Sequence, residues 1–171
     1  MPTWTINEIK KEASLKETST NVLVNQLLQR YVVFDRYETK LSLLPIPKSL
    51  LSDIINNFTE KEIQFFAERA FGFIGSACLL IHKKQDIVSF LQVLKQYVKV
   101  AGIVSDHIIK EGIDIIVIQH DMGAKCSEFV KRLLSMLFEN FAKKPADFEI
   151  TDSFVVARVE LSDSIRSHLL E

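Results

Sequence analysis

The sequence predicts an α+β protein in which an N-terminal helical segment precedes helices packed on a small four-stranded antiparallel sheet. Three observations predict it. Apolar residues recur at three- and four-residue spacing through most of the first hundred positions. Pro45 and Pro47 interrupt that pattern, and beyond Gly102 the spacing changes to alternation. With 171 residues, 47% of them apolar and 25% charged, the chain can bury a real core in one or two small domains.

A first helix is expected from about Asn7 to Lys16, with Ile6, Ile9, Ala13 and Leu15 as its apolar positions. Thr18, Ser19 and Thr20 then supply hydroxyls that can accept the free amides of a starting helix, so a second helix should begin near Thr20. Its apolar residues Leu23, Val24, Leu27, Leu28, Tyr31, Val32 and Phe34 cover a face broader than one partner helix needs, which points to sharing between subunits. The segment Leu44-Pro45-Ile46-Pro47 removes backbone donors and favours extended geometry, and divides a segment 1–44 from a domain 45–171. Helices are expected over 48–58, 60–83 and 87–100. Leu50, Leu51, Ile54, Ile55 and Phe58 line the first; Thr59-Glu60-Lys61-Glu62 fits a capping box for the second; Asp86 caps the third, which Ala101-Gly102 ends.

The sheet and its helix are expected within 103–160. Ile103–Ile109 and Asp114–His120 read as strands joined by a turn at Lys110-Glu111-Gly112-Ile113. A helix from Ala124 to Phe141 follows, with Phe129, Val130, Leu133, Leu134, Leu137 and Phe141 inward. Phe148–Ile150 and Phe154–Val159, separated by Thr151-Asp152-Ser153, add a second hairpin, giving a ββαββ order.

Composition excludes little but narrows the chemistry. A formal charge of -1 provides no general attraction to nucleic acid or acidic membranes, so such a contact would need a local patch. The polar, mixed-charge start Met1–Glu17 does not read as a secretory signal, and the apolar run Ala70–Ile81 is far shorter than the roughly 20 residues a bilayer requires. A reducing cytoplasm is the expected location, with no membrane partner. Cys78 and Cys126 are single cysteines in apolar helical runs and read as packing residues. Gly72-x-x-Gly75 reads as a close-packing site in a helix.

The four histidines do not form a metal or heme set. His107 and His120 lie on two arms of one hairpin but not opposite each other: a turn between Glu111 and Gly112 pairs His107 with Ile116 and His120 with Ile103. His82 suits a helix end, and His168 falls in a C-terminal tail. No nucleotide-binding, zinc-protease or hydrolase motif is present, so no catalytic residues, cofactor or metal ligands are expected. An enzyme would require His107, Asp106 or Cys126 to meet in one pocket. The most site-like segment of the second half is His120-Asp121-Met122-Gly123, where a strand gives way to a helix. Asp121 or a neighbour can cap that helix while Gly123 takes a turn conformation, or a small ligand can use the free amides.

The helix, short turn and helix with Ser19-x-Asn21-x-Leu23-Val24-Asn25 at the second start resembles the ribbon-helix-helix DNA-binding family of the Arc and MetJ type. Ile6, Ile9 and Ala13 fall where that family's first helix places core residues, and Leu23, Leu27 and Tyr31 suit its second. Leu-Val-Asn-Gln-Leu-Leu with Asp35-Arg36-Tyr37-Glu38 also looks like a group of uncharacterised archaeal proteins of this architecture. The resemblance implies a homodimer whose paired N-terminal strands enter the DNA major groove while the second helix start holds a phosphate. It makes Ser19, Thr20 and Asn21 phosphate contacts, with Lys10 and Lys11 adding charge. The family's reading strand would lie mostly before Met1, leaving Pro2-Thr3-Trp4-Thr5. Those residues form a shortened ribbon with Thr3 and Thr5 outward, or the strand is lost, or the start lies upstream.

Two functions follow as expectations. One is a homodimeric DNA-binding transcriptional regulator whose second domain assembles subunits or senses a ligand. The other is a non-catalytic ligand-binding or interaction protein whose N-terminal helices only dimerise.

Overall fold

In the computed structural model, which describes residues 1–169 apart from the side chains of 168 and 169, the chain forms two units, Met1–Leu44 and Pro45–Glu171. The side chain of His168 therefore lies outside the described residues. In the first unit α1 (Thr3–Leu15) and α2 (Thr20–Val33) form an antiparallel hairpin, followed by a 3-10 turn over Asp35–Tyr37 and a short α3 (Glu38–Leu41). α1 starts four residues earlier than expected. Pro2 is extended, with φ -61° and ψ 145°, and its carbonyl accepts the Thr5 amide at 3.1 Å and the Ile6 amide at 3.3 Å. The expected ribbon remnant over Pro2–Thr5 is thus a helical first turn. Strand preference at Thr3 and Thr5 has no effect without a pairing strand, whereas a helix satisfies its own backbone. At the other end Glu17 enters the left-handed region at φ 51° and the Thr18 amide returns to Ala13 O at 2.9 Å. Ser19 then caps α2, its Oγ accepting the Val22 amide at 3.2 Å.

The second unit begins with α4 (Lys48–Asn56), α5 (Glu60–His82) and α6 (Ile87–Val100). The capping box ahead of α5 is formed in both directions: Thr59 Oγ1 accepts the Glu62 amide at 3.3 Å, and Glu62 Oε2 accepts the Thr59 amide at 2.7 Å. Asp86 caps α6 by accepting the Ser89 amide and hydroxyl, each at 2.8 Å. There follow β1 (Val104–Lys110), β2 (Ile113–Gln119), α7 (Ala124–Leu137), β3 (Asp147–Ile150), β4 (Phe154–Val159) and α8 (Asp163–Leu169). The four strands form one antiparallel sheet in the spatial order β1-β2-β4-β3. Glu111 and Gly112, at φ 52° and 77°, make the two-residue turn that matches strand twist.

Alternation decides what the sheet covers. Asp114, Ile116 and Ile118 of β2 and Val155, Ala157 and Val159 of β4 all point to the inner face, paired as Ile118 with Val155, Ile116 with Ala157 and Asp114 with Val159. α6 lies against β1, and α7 against β3 and β4; α5 packs outside them on both helices, and α4 on α7. Leu133, Leu134 and Leu137 are buried as α7's periodicity requires, while Phe129 and Val130 are half-buried. The helix expected to reach Phe141 gives way at Phe138 to a π-helical turn over Phe138–Ala142. That wider turn lets Phe138 be buried and brings Phe141 to 6.2 Å from Phe71 and 6.1 Å from Phe90, ring centre to ring centre.

α5 is long and apolar enough to cross a membrane by length and composition alone. Of that apolar stretch 28% is buried: α5 packs on α6 and α7 through Ile63, Ala67, Ile74, Ala77 and Cys78, carries Glu60, Lys61, Glu62, Glu68 and Arg69 in its first three turns, and leaves Phe65, Phe66 and Leu79 exposed. The close packing expected at Gly72-x-x-Gly75 holds only at Gly75, where an added Cβ would meet Gln85 Nε2 at 2.9 Å; Gly72 has nothing within 4 Å.

Candidate functional sites

The expected DNA-contacting residues spread over two ends of the α1–α2 hairpin. Thr3 is exposed and Thr5 half-buried in the first turn of α1, about 18 Å along the helix axis from Leu15 at 1.5 Å per residue. Lys10 and Lys11 are exposed further along α1, and Lys11 Nζ pairs with Glu8 Oε1 at 2.7 Å. Ser19, Thr20 and Asn21 sit at the start of α2, whose first turn holds no acidic side chain. The structure therefore keeps Thr3 and Thr5 apart from Ser19–Asn21. What it does gather is apolar: Leu27, Leu28, Tyr31 and Val32 are exposed along one side of α2, with Leu28 and Tyr31 each 57% accessible, while Val22 and Val33 are exposed on the other side.

The segment His120–Gly123 is filled by the protein's own groups. His120 lies one residue past the β1–β2 ladder, which ends at Val104 and Gln119, and is fully buried. Its Nδ1 accepts the Met122 amide at 3.0 Å, so the ring proton resides on Nε2 and is donated to Ser127 Oγ at 2.9 Å. The Ser127 hydroxyl in turn donates to the Thr151 carbonyl. This serine has no proton to give the imidazole, and the pair is a buried tie between the β2–α7 and β3–β4 junctions. Burial holds the His120 pKa below the ordinary histidine value.

The remaining amides of the segment are also occupied: His120 and Asp121 donate to Ser153 O at 2.9 and 3.4 Å, and Gly123 to Asp152 O at 3.0 Å. The amides a small ligand was expected to use are thus committed internally. Asp121 does not cap α7. It adopts φ 54° with its carboxylate 4.0 Å from Lys48 Nζ, and Gly123 holds the N-cap position at φ 90° without a side-chain bond. Ser52 Oγ and Asn56 Nδ2 of α4 donate to the Met122 carbonyl at 3.1 and 3.0 Å, and Asn56 Oδ1 stands 2.6 Å from where a Cβ on Gly123 would be. Only glycine fits there.

A second polar cluster was not anticipated from the sequence. Asp114, fully buried at the start of β2, accepts His107 Nε2 at 2.9 Å on one oxygen and Arg166 Nε at 2.9 Å and the Leu161 amide at 3.2 Å on the other. Arg166 also reaches Asp163 at 2.9 Å and the Gly112 carbonyl, and the Asp114 bond is the main reason its pKa rises. The signal lay in one apolar-face position of β2 being an aspartate with His107 seven residues before it, but its other partners, Leu161 and Arg166, are 47 and 52 residues away.

Asp106, His107 and Cys126 do not meet. Asp106 and His107 project to opposite faces of the sheet, and Cys126 packs with Ile55 and Met122. Burial pushes the Cys126 thiol up to about 12 and the Cys78 thiol up to about 11, which leaves neither as a nucleophile at neutral pH. A cleft of about 200 Å³ is lined by Ala142, Lys144, Glu160, Leu161, Ser162 and Ile165, small beside the 300 Å³ or more usual for small-molecule sites. Among the described residues no group of three or more His, Cys, Asp and Glu could hold a metal ion. No family model matches the chain, and no curated protein matches its sequence.

Proposed function

We propose that this protein is a non-catalytic, cytoplasmic interaction protein that works as a homodimer held together by its α2 helices. The observation that carries the reading is the exposed apolar surface of Leu27, Leu28, Tyr31 and Val32, which share one side of a helix whose own hairpin buries little more than Leu23. Such a face gains stability when a second copy covers it. Sedimentation of the full chain tests it: Leu28→Glu places a charge on that face and is expected to weaken assembly at least tenfold, while Lys10→Ala leaves it unchanged. An unaltered mass for Leu28→Glu rejects α2 as the contact.

A second reading, a transcriptional regulator bound to double-stranded DNA, draws support from a different observation. The start of α2 carries no acidic residue, and Thr20 and Asn21 sit where the helix presents its free amides. In this reading Ser19, Thr20 and Asn21 hold phosphates, with Lys10 and Lys11 adding charge from α1, and binding is largely independent of sequence because no strand among residues 1–44 is available to read bases. Mobility-shift titration at several salt concentrations is the test. Lys10→Ala with Lys11→Ala should flatten the salt dependence by up to two phosphate contacts. No shift at low salt ends this reading without touching the dimer.

A further inference from the structure

We propose that β1 is a self-pairing edge, through which the sheet of one protomer continues into that of a second copy. β1 is the outer strand of the order β1-β2-β4-β3, seven residues long and without proline. Long open edges of this kind are templates for another strand. The opposite edge, β3, has four residues, two of them Asp147 and Glu149.

Backbone geometry selects which residues can bond outward. The two-residue turn at Glu111 and Gly112 makes Lys110 and Ile113 the closing hydrogen-bonded pair, so Lys110, Ile108, Asp106 and Val104 direct their amides and carbonyls at β2. Ser105, His107 and Ile109 direct theirs at the open edge. The His107 amide indeed meets no strand: it donates to the adjacent Asp106 Oδ1 at 2.8 Å.

Charge then selects the register and the partner. An antiparallel pairing of β1 with itself, centred on Ile108, sets His107 and Ile109 of opposite copies as hydrogen-bonded pairs. It sets Ile108 against Ile108, and Asp106 against Lys110 twice, in the closer non-bonded positions on the outer face. Centring on Asp106 would oppose two carboxylates, and centring on His107 or Ile109 would set each charge against an apolar residue or the turn. Of these registers only the one on Ile108 sets Asp106 and Lys110 against each other. Ile108, 48% accessible, already pairs with Ile115 of β2, so the outer face would carry an unbroken row Ile115-Ile108-Ile108-Ile115 across the two-fold axis. Forming it exchanges the Asp106 bond to its own backbone for the contact with Lys110.

The contact is distinct from α2, so with both formed the α2 dimers join further, into a closed tetramer or an open row, and the two contacts are separable by experiment. In the full chain, Ile108→Cys should form a disulfide-linked dimer under mild oxidation, read on a non-reducing gel, since Cys78 and Cys126 are buried. Adding Asp106→Lys or Lys110→Asp should reduce the linked fraction at least fivefold, and adding both together should restore it. Mixing the two single-swap proteins should give cross-linked heterodimer where neither gives homodimer. Equal linkage in all four backgrounds, or none in Ile108→Cys with circular dichroism unchanged, overturns the proposal. Repeating the series with Leu28→Glu separates the contacts: the same pattern there leaves β1 standing even if α2 fails.

Discussion

His120 shows how one buried side chain can hold two loops together and set a pH limit. Its ring accepts from Met122 and donates to Ser127, whose hydroxyl donates on to Thr151, so the protons of the relay all point one way. Protonation of Nδ1 would break the Met122 bond. Because burial lowers the folded pKa, the unfolded chain binds the proton first. The stability from this tie is therefore complete above the ordinary histidine value of about 6.5 and declines as pH falls below it. His120→Ala should cost about 3 kcal/mol in urea unfolding at pH 7.5, from a cavity and two orphaned polar groups, and should reduce the stability change between about pH 7 and pH 5, leaving the part due to His82, whose pKa burial also lowers. An unchanged pH profile would assign that change to other groups.

The elements divide into those their own sequence determines and those fixed by distant partners. Helices α4 to α7 were legible because apolar spacing, Thr59, Asp86 and the Glu111-Gly112 turn all act within a few residues. The His107 pairing with Ile116 followed from the same turn. The early start of α1, the π-helical turn at Phe138 and the Asp114 cluster were not legible, since each depends on whether another segment arrives to pair or pack. The candidate surface on α2 was legible as a broad apolar face, whereas the ligand amides at His120–Gly123 looked free only because Asp152 and Ser153 are distant in sequence.

This division makes contrasting predictions for the two kinds of element. Burial alone would raise the Asp86 carboxyl, but its bonds to Lys84 and Ser89 hold it at about 2, so its cap persists at neutral pH and fails only as pH falls below about 4 towards 2. Asp86→Ala should lower stability at pH 7 by about 1 kcal/mol, measured by urea midpoint, with no further loss on acidification attributable to this site. α8 is fixed instead by Arg166 on Asp114, with amides of Ile165 and Arg166 bonded to Ser162 at 2.9 and 3.1 Å. Arg166→Met should speed hydrogen exchange of those two amides about tenfold, the equivalent of one charge-assisted bond, while the α5 amides stay protected. Equal acceleration in α5 would mean that α8 opens only with the whole unit.

At the scale of the molecule, the two units differ in how far they can stand alone. Within residues 1–44 the buried apolar side chains are Ala13, Leu23 and Phe34, while the second unit buries Phe90, Phe138, Ile63, Leu134, Leu137 and many others. A segment of about 40 residues with so small a core needs association to be stable. Stability that comes from a partner depends on protomer concentration, whereas stability from an internal core does not. Calorimetry should therefore be run on Lys110→Asp, so that the β1 edge adds no concentration dependence of its own. Two transitions are expected, the lower from the first unit. A tenfold rise in protein concentration should move the lower one up by several degrees and leave the upper one in place. In Leu28→Glu with Lys110→Asp the lower transition should fall and lose its concentration dependence. A lower transition indifferent to concentration would mean that the hairpin is stable as a single copy, and the exposed face of α2 would then need another partner.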